Sequence, residues 1–166
     1  MEVEELRRTQ EPLKDRYRDD PETALITLRA RGDLEEGISC SVETGRALVE
    51  AGLHPGTGGD GTQACSGDML LQALVACAGV TMRAVATSMG IAVNGKVHAE
   101  GDLDWRGTLA IDKQTPVGFN EIRLKFDLES DASESELDTL MRLTERYCVV
   151  LQTLASSPRL VTSYGR

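Results

Sequence analysis

Four cysteines, at positions 40, 65, 77 and 148, are the residues of this 166-residue chain best able to do chemistry. The only histidines are His54 and His98, and no CxxC pair occurs. Zinc favours closely spaced ligand pairs, so the pattern argues against a structural metal site. Thiol redox chemistry fits better. It needs a thiolate, a neighbouring positive charge and access for a ligand. By position alone Cys77 and Cys148 read as small core hydrophobes, because free cysteine is among the most buried residue types. Cys40 fits the inward face of a strand. Cys65 precedes a helix, where a thiol can be acidified or can simply pack in a loop.

The elements that must hold these thiols follow from the pattern. Residues 1–21 read as a charged N-terminal arm, and 22–166 as a single domain. Ala24, Ile26, Leu28 and Ala30 alternate with Leu25, Thr27, Arg29 and Arg31, as in a strand. Arg31-Gly32-Asp33 is expected to turn, and residues 37–43 to return as the second strand of a hairpin. Arg46 to Glu50 suggests one more short strand. Residues 52–61 are glycine-rich and read as a loop.

The strongest element comes next, CSGDMLLQALVACAGVTMRAVATSMG. Ser66 is the expected N-cap, Asp68 suits the positive end of the helix dipole, and Gly90 supplies the stop. The helix is apolar or small nearly all round, so it should be buried on all sides. One small subunit covers only part of such a helix; a second subunit would cover the rest. Residues 91–111 and 121–129 read as strands. Ser133 and Glu136 form a capping box that opens a second helix. That helix is expected to carry Cys148 on its apolar stripe and to run on through VVLQTLASS. Pro158 ends it, and RLVTSY is expected as an edge strand. Strands, buried helix, strands, helix, strand make an α+β fold.

Charge narrows the partners. Lysine and arginine total 18 against 27 acidic residues, a net charge of −9. Such a surface repels nucleic acid and anionic membranes. The first residues contain no apolar signal segment, and Met69 to Met82 is too short to span a bilayer. A cytoplasmic location is expected, where thiols start out reduced.

Two segments carry a resemblance to a known family. ACSGDMLLQALVACAGVTMRAVATSMGI resembles the central helix of the OsmC/Ohr family, named for osmotically inducible protein C and organic hydroperoxide resistance protein. RYCVVLQTLA resembles that family's second cysteine segment. The resemblance implies an intertwined homodimer, with antiparallel sheets packed around long buried central helices and two active sites at the subunit interface. It implies a thiol-dependent peroxidase that reduces hydroperoxides, often organic ones. Cys77 would be the attacking cysteine and Cys148 the resolving one. No metal or other cofactor is implied, and electrons would come from an external thiol, a dithiol reductant. An arginine should stabilise the thiolate; Arg31 is the first candidate and Arg29 the second. The family's usual carboxylate lies ten residues before the attacking cysteine, where this chain has Gly67; Asp68 is the candidate substitute, with helix capping as its other role. Val149 follows Cys148 where many relatives have proline. Two other functions stay open: a non-catalytic dimer binding a small apolar ligand, and a cysteine redox sensor.

Overall fold

The computed structural model describes residues 31–34, 39–44, 47–110 and 112–165, together with residues 3, 4, 8 and 19; between 31 and 48 it describes backbone alone. The expected N-terminal arm and the strand read over 23–31, with Arg29, lie outside the described residues apart from these isolated positions and Arg31.

The first sheet has four strands in the order β1 (Arg31–Leu34), β2 (Ser39–Thr44), β3 (Ala47–Gly52) and β4 (Ala64–Cys65). β1, β2 and β3 pair antiparallel, with Arg31 opposite Glu43 and Cys40 opposite Ala51. β4 adds to β3 in parallel. The expected strands at 37–43 and 46–50 are therefore present. The expected turn at Arg31-Gly32-Asp33 is not: those residues open β1. Local turn preference yields there to pairing with β2, which extends from Arg31 to Leu34.

β4 leads directly into α1 (Ser66–Met89), 24 residues long. Cys65, with extended backbone, is its N-cap, and its side chain makes no capping hydrogen bond. Ser66, expected as the cap, is already the first helical residue. Gly90 ends the helix in the left-handed region at φ 70°, and its N–H returns to the Ala86 and Thr87 carbonyls. α1 buries one stripe, Leu74, Ala78, Met82, Val85 and Ala86. Its opposite flank stays exposed in the single chain, with Val80 72% accessible. Burial on all sides is thus not met within one chain. By length and composition α1, which contains an 18-residue window of mean hydropathy 1.7, is also long and apolar enough to cross a bilayer. The Met69 to Met82 stretch alone understates that length. Here α1 instead packs on β5, α3 and α4.

The second sheet is a long ribbon of β5 (Asn94–Leu103) and β6 (Phe119–Glu129). Val97, Ala99, Gly101 and Leu103 alternate inward with Ile122, Leu124, Phe126 and Leu128. Gly95, at φ 134°, lies so close to the Asp127 carbonyl that a Cβ would collide with it. β5 stops earlier than the expected 91–111, because Asp104 accepts the Arg106 N–H at 3.0 Å and caps a short helix, α2 (Trp105–Thr108). The ribbon's outer face is charged. Arg123 is clamped there by Asp102 at 2.5 and 2.9 Å and by Glu121 at 3.0 Å.

α3 (Glu134–Tyr147) opens with the expected capping box. The Ser133 N–H donates to Glu136 Oε2 at 2.9 Å, and Ser133 Oγ accepts the Glu136 N–H at 3.4 Å. Leu140 then packs against Met82, Val85, Ala86 and Val93, the centre of the core. α4 (Val149–Ala155) follows. Residues 157–165 form no strand and lie exposed, which corrects the expected edge strand. Pro158 ends the helical run, and none of the described strands pairs with this segment.

Candidate thiol active site

Cys148 does not continue α3. Its backbone turns extended, with φ −73° and ψ 105°, so it is at once the C-cap of α3 and the N-cap of α4. The helix expected to run through it is broken at this residue. Its N–H donates to the Thr144 carbonyl at 3.0 Å, closing α3, and its carbonyl accepts the Gln152 N–H at 2.9 Å, opening α4. The break has a chemical consequence. The first N–H groups of any helix lack partners within that helix. In α4 these belong to Val149, Val150 and Leu151; the first two lower the pKa of Cys77 and the last two oppose the rise at Cys148.

Cys77 lies in the third turn of α1, half-buried, while Cys148 is wholly buried at 0% accessibility. α1 packs against α4, and each thiol lies close enough to the other to shift its acidity. Their acidities are pushed apart. Burial is the largest single influence on Cys77 and raises its pKa. The Val150 N–H, the Cys148 thiol, the Thr81 hydroxyl and the Val149 N–H together outweigh burial, and Cys77 ends below the ordinary thiol value. For Cys148 burial also comes first and raises the pKa. The Leu151 and Val150 N–H groups oppose this, but the neighbouring Cys77 raises it further, and the net direction is up. Cys77 is therefore the more acidic thiol of the pair, and Cys148 the less acidic. This arrangement can form a nucleophilic sulfur with a second sulfur held ready beside it.

The other candidates are placed differently. Asp68 is exposed in the first turn of α1. Nine residues of helix put it roughly 13 Å from Cys77 along the axis and on the opposite side. It lines a cavity of about 360 Å³ with His54, Cys65, Gly67, Trp105 and Phe119. There the His54 ring stacks on Trp105 with centroids 5.0 Å apart, and His54 Nδ1 accepts the Gly56 N–H at 2.9 Å. Arg31 begins β1, with only its backbone described, and Arg29 lies outside the described residues. The cysteine pair thus comes together within one chain, and Asp68 does not join it. Arg83, one and a half turns beyond Cys77 on α1, is engaged by the Val93 carbonyl at 2.5 Å.

Two contributors escaped the sequence reading. Thr81 was legible in principle, since it stands four residues after Cys77 on one helix face. The N–H groups of α4 were not, because nothing in a continuous apolar stripe announces the break at Cys148.

The OsmC-like protein family matches residues 59–163, from the loop before α1 to the C-terminal segment. The chain belongs to that family. Solved structures agree on the fold. An OsmC-like protein from Mycoplasma pneumoniae superposes with a TM-score of 0.67 at 19% identity, covering 80% of this chain and 89% of that one. An organic hydroperoxide resistance protein OsmC from Legionella pneumophila, described as a predicted redox protein, gives 0.59 at 19% identity, covering 80% and 91%. An organic hydroperoxide resistance protein of Bacillus subtilis gives 0.52 at 13% identity, covering 80% and 93%. At such identities the likeness establishes the OsmC-like α+β fold and no more. No curated protein matches the sequence.

Proposed function

We propose that this OsmC-like protein is a thiol-dependent peroxidase that reduces organic hydroperoxides in the cytoplasm. The observation that carries the reading is the Cys77–Cys148 pair, brought together where α1 packs on α4 and with acidities shifted in opposite directions. The Cys77 thiolate attacks the terminal peroxide oxygen; the O–O bond breaks, an alcohol leaves, and Cys77 becomes a sulfenic acid. The Cys148 sulfur then attacks the Cys77 sulfur. An S–S bond forms, the S–O bond breaks, and the oxygen leaves as water with the Cys148 proton. An external dithiol returns both sulfurs to thiols. No metal or organic cofactor enters this cycle.

The working form on this reading is a homodimer. The exposed apolar flank of α1 gives a second copy a surface to cover, including Leu70 and Val80. Asp68 faces away from Cys77 of its own chain, so it can support a Cys77 only from the partner. The supporting arginine, Arg31 with Arg29 as second choice, is assigned to the same interface.

The test is one organic hydroperoxide added below stoichiometry to the reduced protein, followed by intact mass and peptide mapping. The expected product is a Cys77–Cys148 disulfide. A Cys77→Ser protein that consumes peroxide at the native rate would sink the proposal. Fast oxidation without turnover on any dithiol would point instead to a sensor.

A further inference from the structure

The two sulfurs of the site differ in reach as well as in acidity. Cys148 is 0% accessible. Its backbone is fixed as the end of α3 and the start of α4, so it has no loop to swing on. Leu74, one turn before Cys77 on α1, and Thr144, one turn before Cys148 on α3, are closed to solvent as well. Cys77 is half-buried. Helical spacing sets its two sides. Leu74 and Thr81, at i−3 and i+4, lie toward the buried stripe of α1. Ala73 and Val80, at i−4 and i+3, lie on the other side, and both are exposed. Cys148, with no accessible surface, meets Cys77 from the buried side. The Cys77 sulfur thus has Cys148 on one side and open approach on the other.

A thiol that reduces a disulfide attacks one sulfur in line with the S–S bond and expels the other. In-line approach to Cys148 comes from the side away from Cys77, which is packed core. In-line approach to Cys77 comes from the side of Ala73 and Val80. We propose that the external thiol enters at Cys77 alone, so that Cys148 is the leaving group of the first reduction step and never bonds the reductant. The assignment rests on the peroxidase reading and names the sulfur through which its reductant acts. The reductant thiolate bonds to the Cys77 sulfur, the Cys77–Cys148 bond breaks, and Cys148 leaves with the electron pair and takes a proton. The second thiol of the reductant then attacks the reductant sulfur held on Cys77. The reductant closes its own disulfide and Cys77 leaves as the thiolate. Acidity alone favours first attack on Cys148, because the more acidic Cys77 is the better leaving group. Access overrides this preference: a better leaving group speeds only an attack that takes place, and a sulfur with no accessible surface receives none. When the disulfide forms, the oxygen on Cys77 departs in line and opposite Cys148, so the thiol enters where water left. That side stays open in a dimer, since peroxide has to reach the same sulfur.

The test uses the native protein, oxidised with a single equivalent of organic hydroperoxide. 2-Mercaptoethanol is added and samples are quenched with acid over time. The mixed disulfide is then located by peptide mapping at low pH, where exchange stops. The adduct is expected on Cys77 from the first time point, in about tenfold excess or more over Cys148. The same reaction in urea, which unfolds the chain and exposes both sulfurs, should erase the preference. An adduct on Cys148 at the first time point, an even split between the two, a preference that persists in urea, or a disulfide that reacts only in urea overturns this inference and leaves the peroxidase reading standing. A native protein in which hydroperoxide yields no Cys77–Cys148 disulfide overturns both.

Discussion

Cys65 and Cys77 lie on the same helix, roughly 18 Å apart along its axis, and their surroundings are reversed from what their positions suggest. Cys65 stands at the N-cap of a 24-residue helix, where free N–H groups and the helix dipole are strongest, yet its side chain caps nothing. Cys77 sits where its own helix offers no free donor, and its pKa is lowered by two N–H groups of α4, the Thr81 hydroxyl and the Cys148 thiol. The difference teaches that the donors activating a thiol can come from the start of another helix. Mid-helix placement then becomes an advantage: α1 is rigid there and fixes the sulfur, while the break at Cys148 supplies the donors.

The largest effect should separate these two sites outright. Cys77→Ser is expected to lower peroxide consumption on the order of a hundredfold or more, because it removes the nucleophile itself. Cys65→Ser should change it less than about twofold. Both are read as peroxide loss in the presence of a dithiol; a Cys65→Ser loss as deep as that of Cys77→Ser would break the comparison. Next comes Cys148→Ala. It should still oxidise once at Cys77 but lose turnover by about tenfold or more, with sulfinic acid accumulating in the mass spectrum.

The pH dependence sharpens the same contrast. Cys77 lies below the ordinary thiol value, so its alkylation rate should rise with pH and level off before that value is reached. Below its own pKa the rate should fall about tenfold per pH unit. The lowered pKa also stabilises the fold. That contribution is complete above the unfolded thiol pKa and is lost as pH falls through the folded one. Cys148 runs the other way, its raised pKa stabilising the fold below the unfolded value and failing as pH rises through the folded one. Thr81→Val should move the alkylation midpoint of Cys77 upward and slow its oxidation about threefold at neutral pH, the size of one ordinary hydrogen bond. An unmoved midpoint would remove Thr81 from the site.

How much of this could be read in the chain depends on the residue. The alternation of Ile122, Leu124, Phe126 and Leu128, the Ser133–Glu136 box and the Gly90 stop each have one strong local cause, and each appears as read. Cys77 and Cys148 were singled out through resemblance, since apolar spacing alone assigns both to the core. The break at Cys148 was hidden because VVLQTLA suits a helix on either side of it, and only a tertiary contact decides that α3 ends and α4 begins. Arg31-Gly32-Asp33 misleads for the related reason that a turn-forming tripeptide can still pair along an edge.

The smallest expected effect tests the break itself. Val149 is the first residue of α4 and its N–H is the weakest of the donors that lower Cys77. Val149→Pro removes that N–H. Two features of the structure favour the change. Proline suits the first position of a helix, where its missing N–H has no partner within the helix, and the residue before it must be extended, as Cys148 already is at φ −73° and ψ 105°. The variant should therefore fold at least as well as the native chain, and oxidation of Cys77 should slow less than about twofold, because the stronger Val150 donor remains. A severe loss would mean that Val149 carries the acidity of Cys77, and the balance of donors at the start of α4 would have to be redrawn around that single N–H.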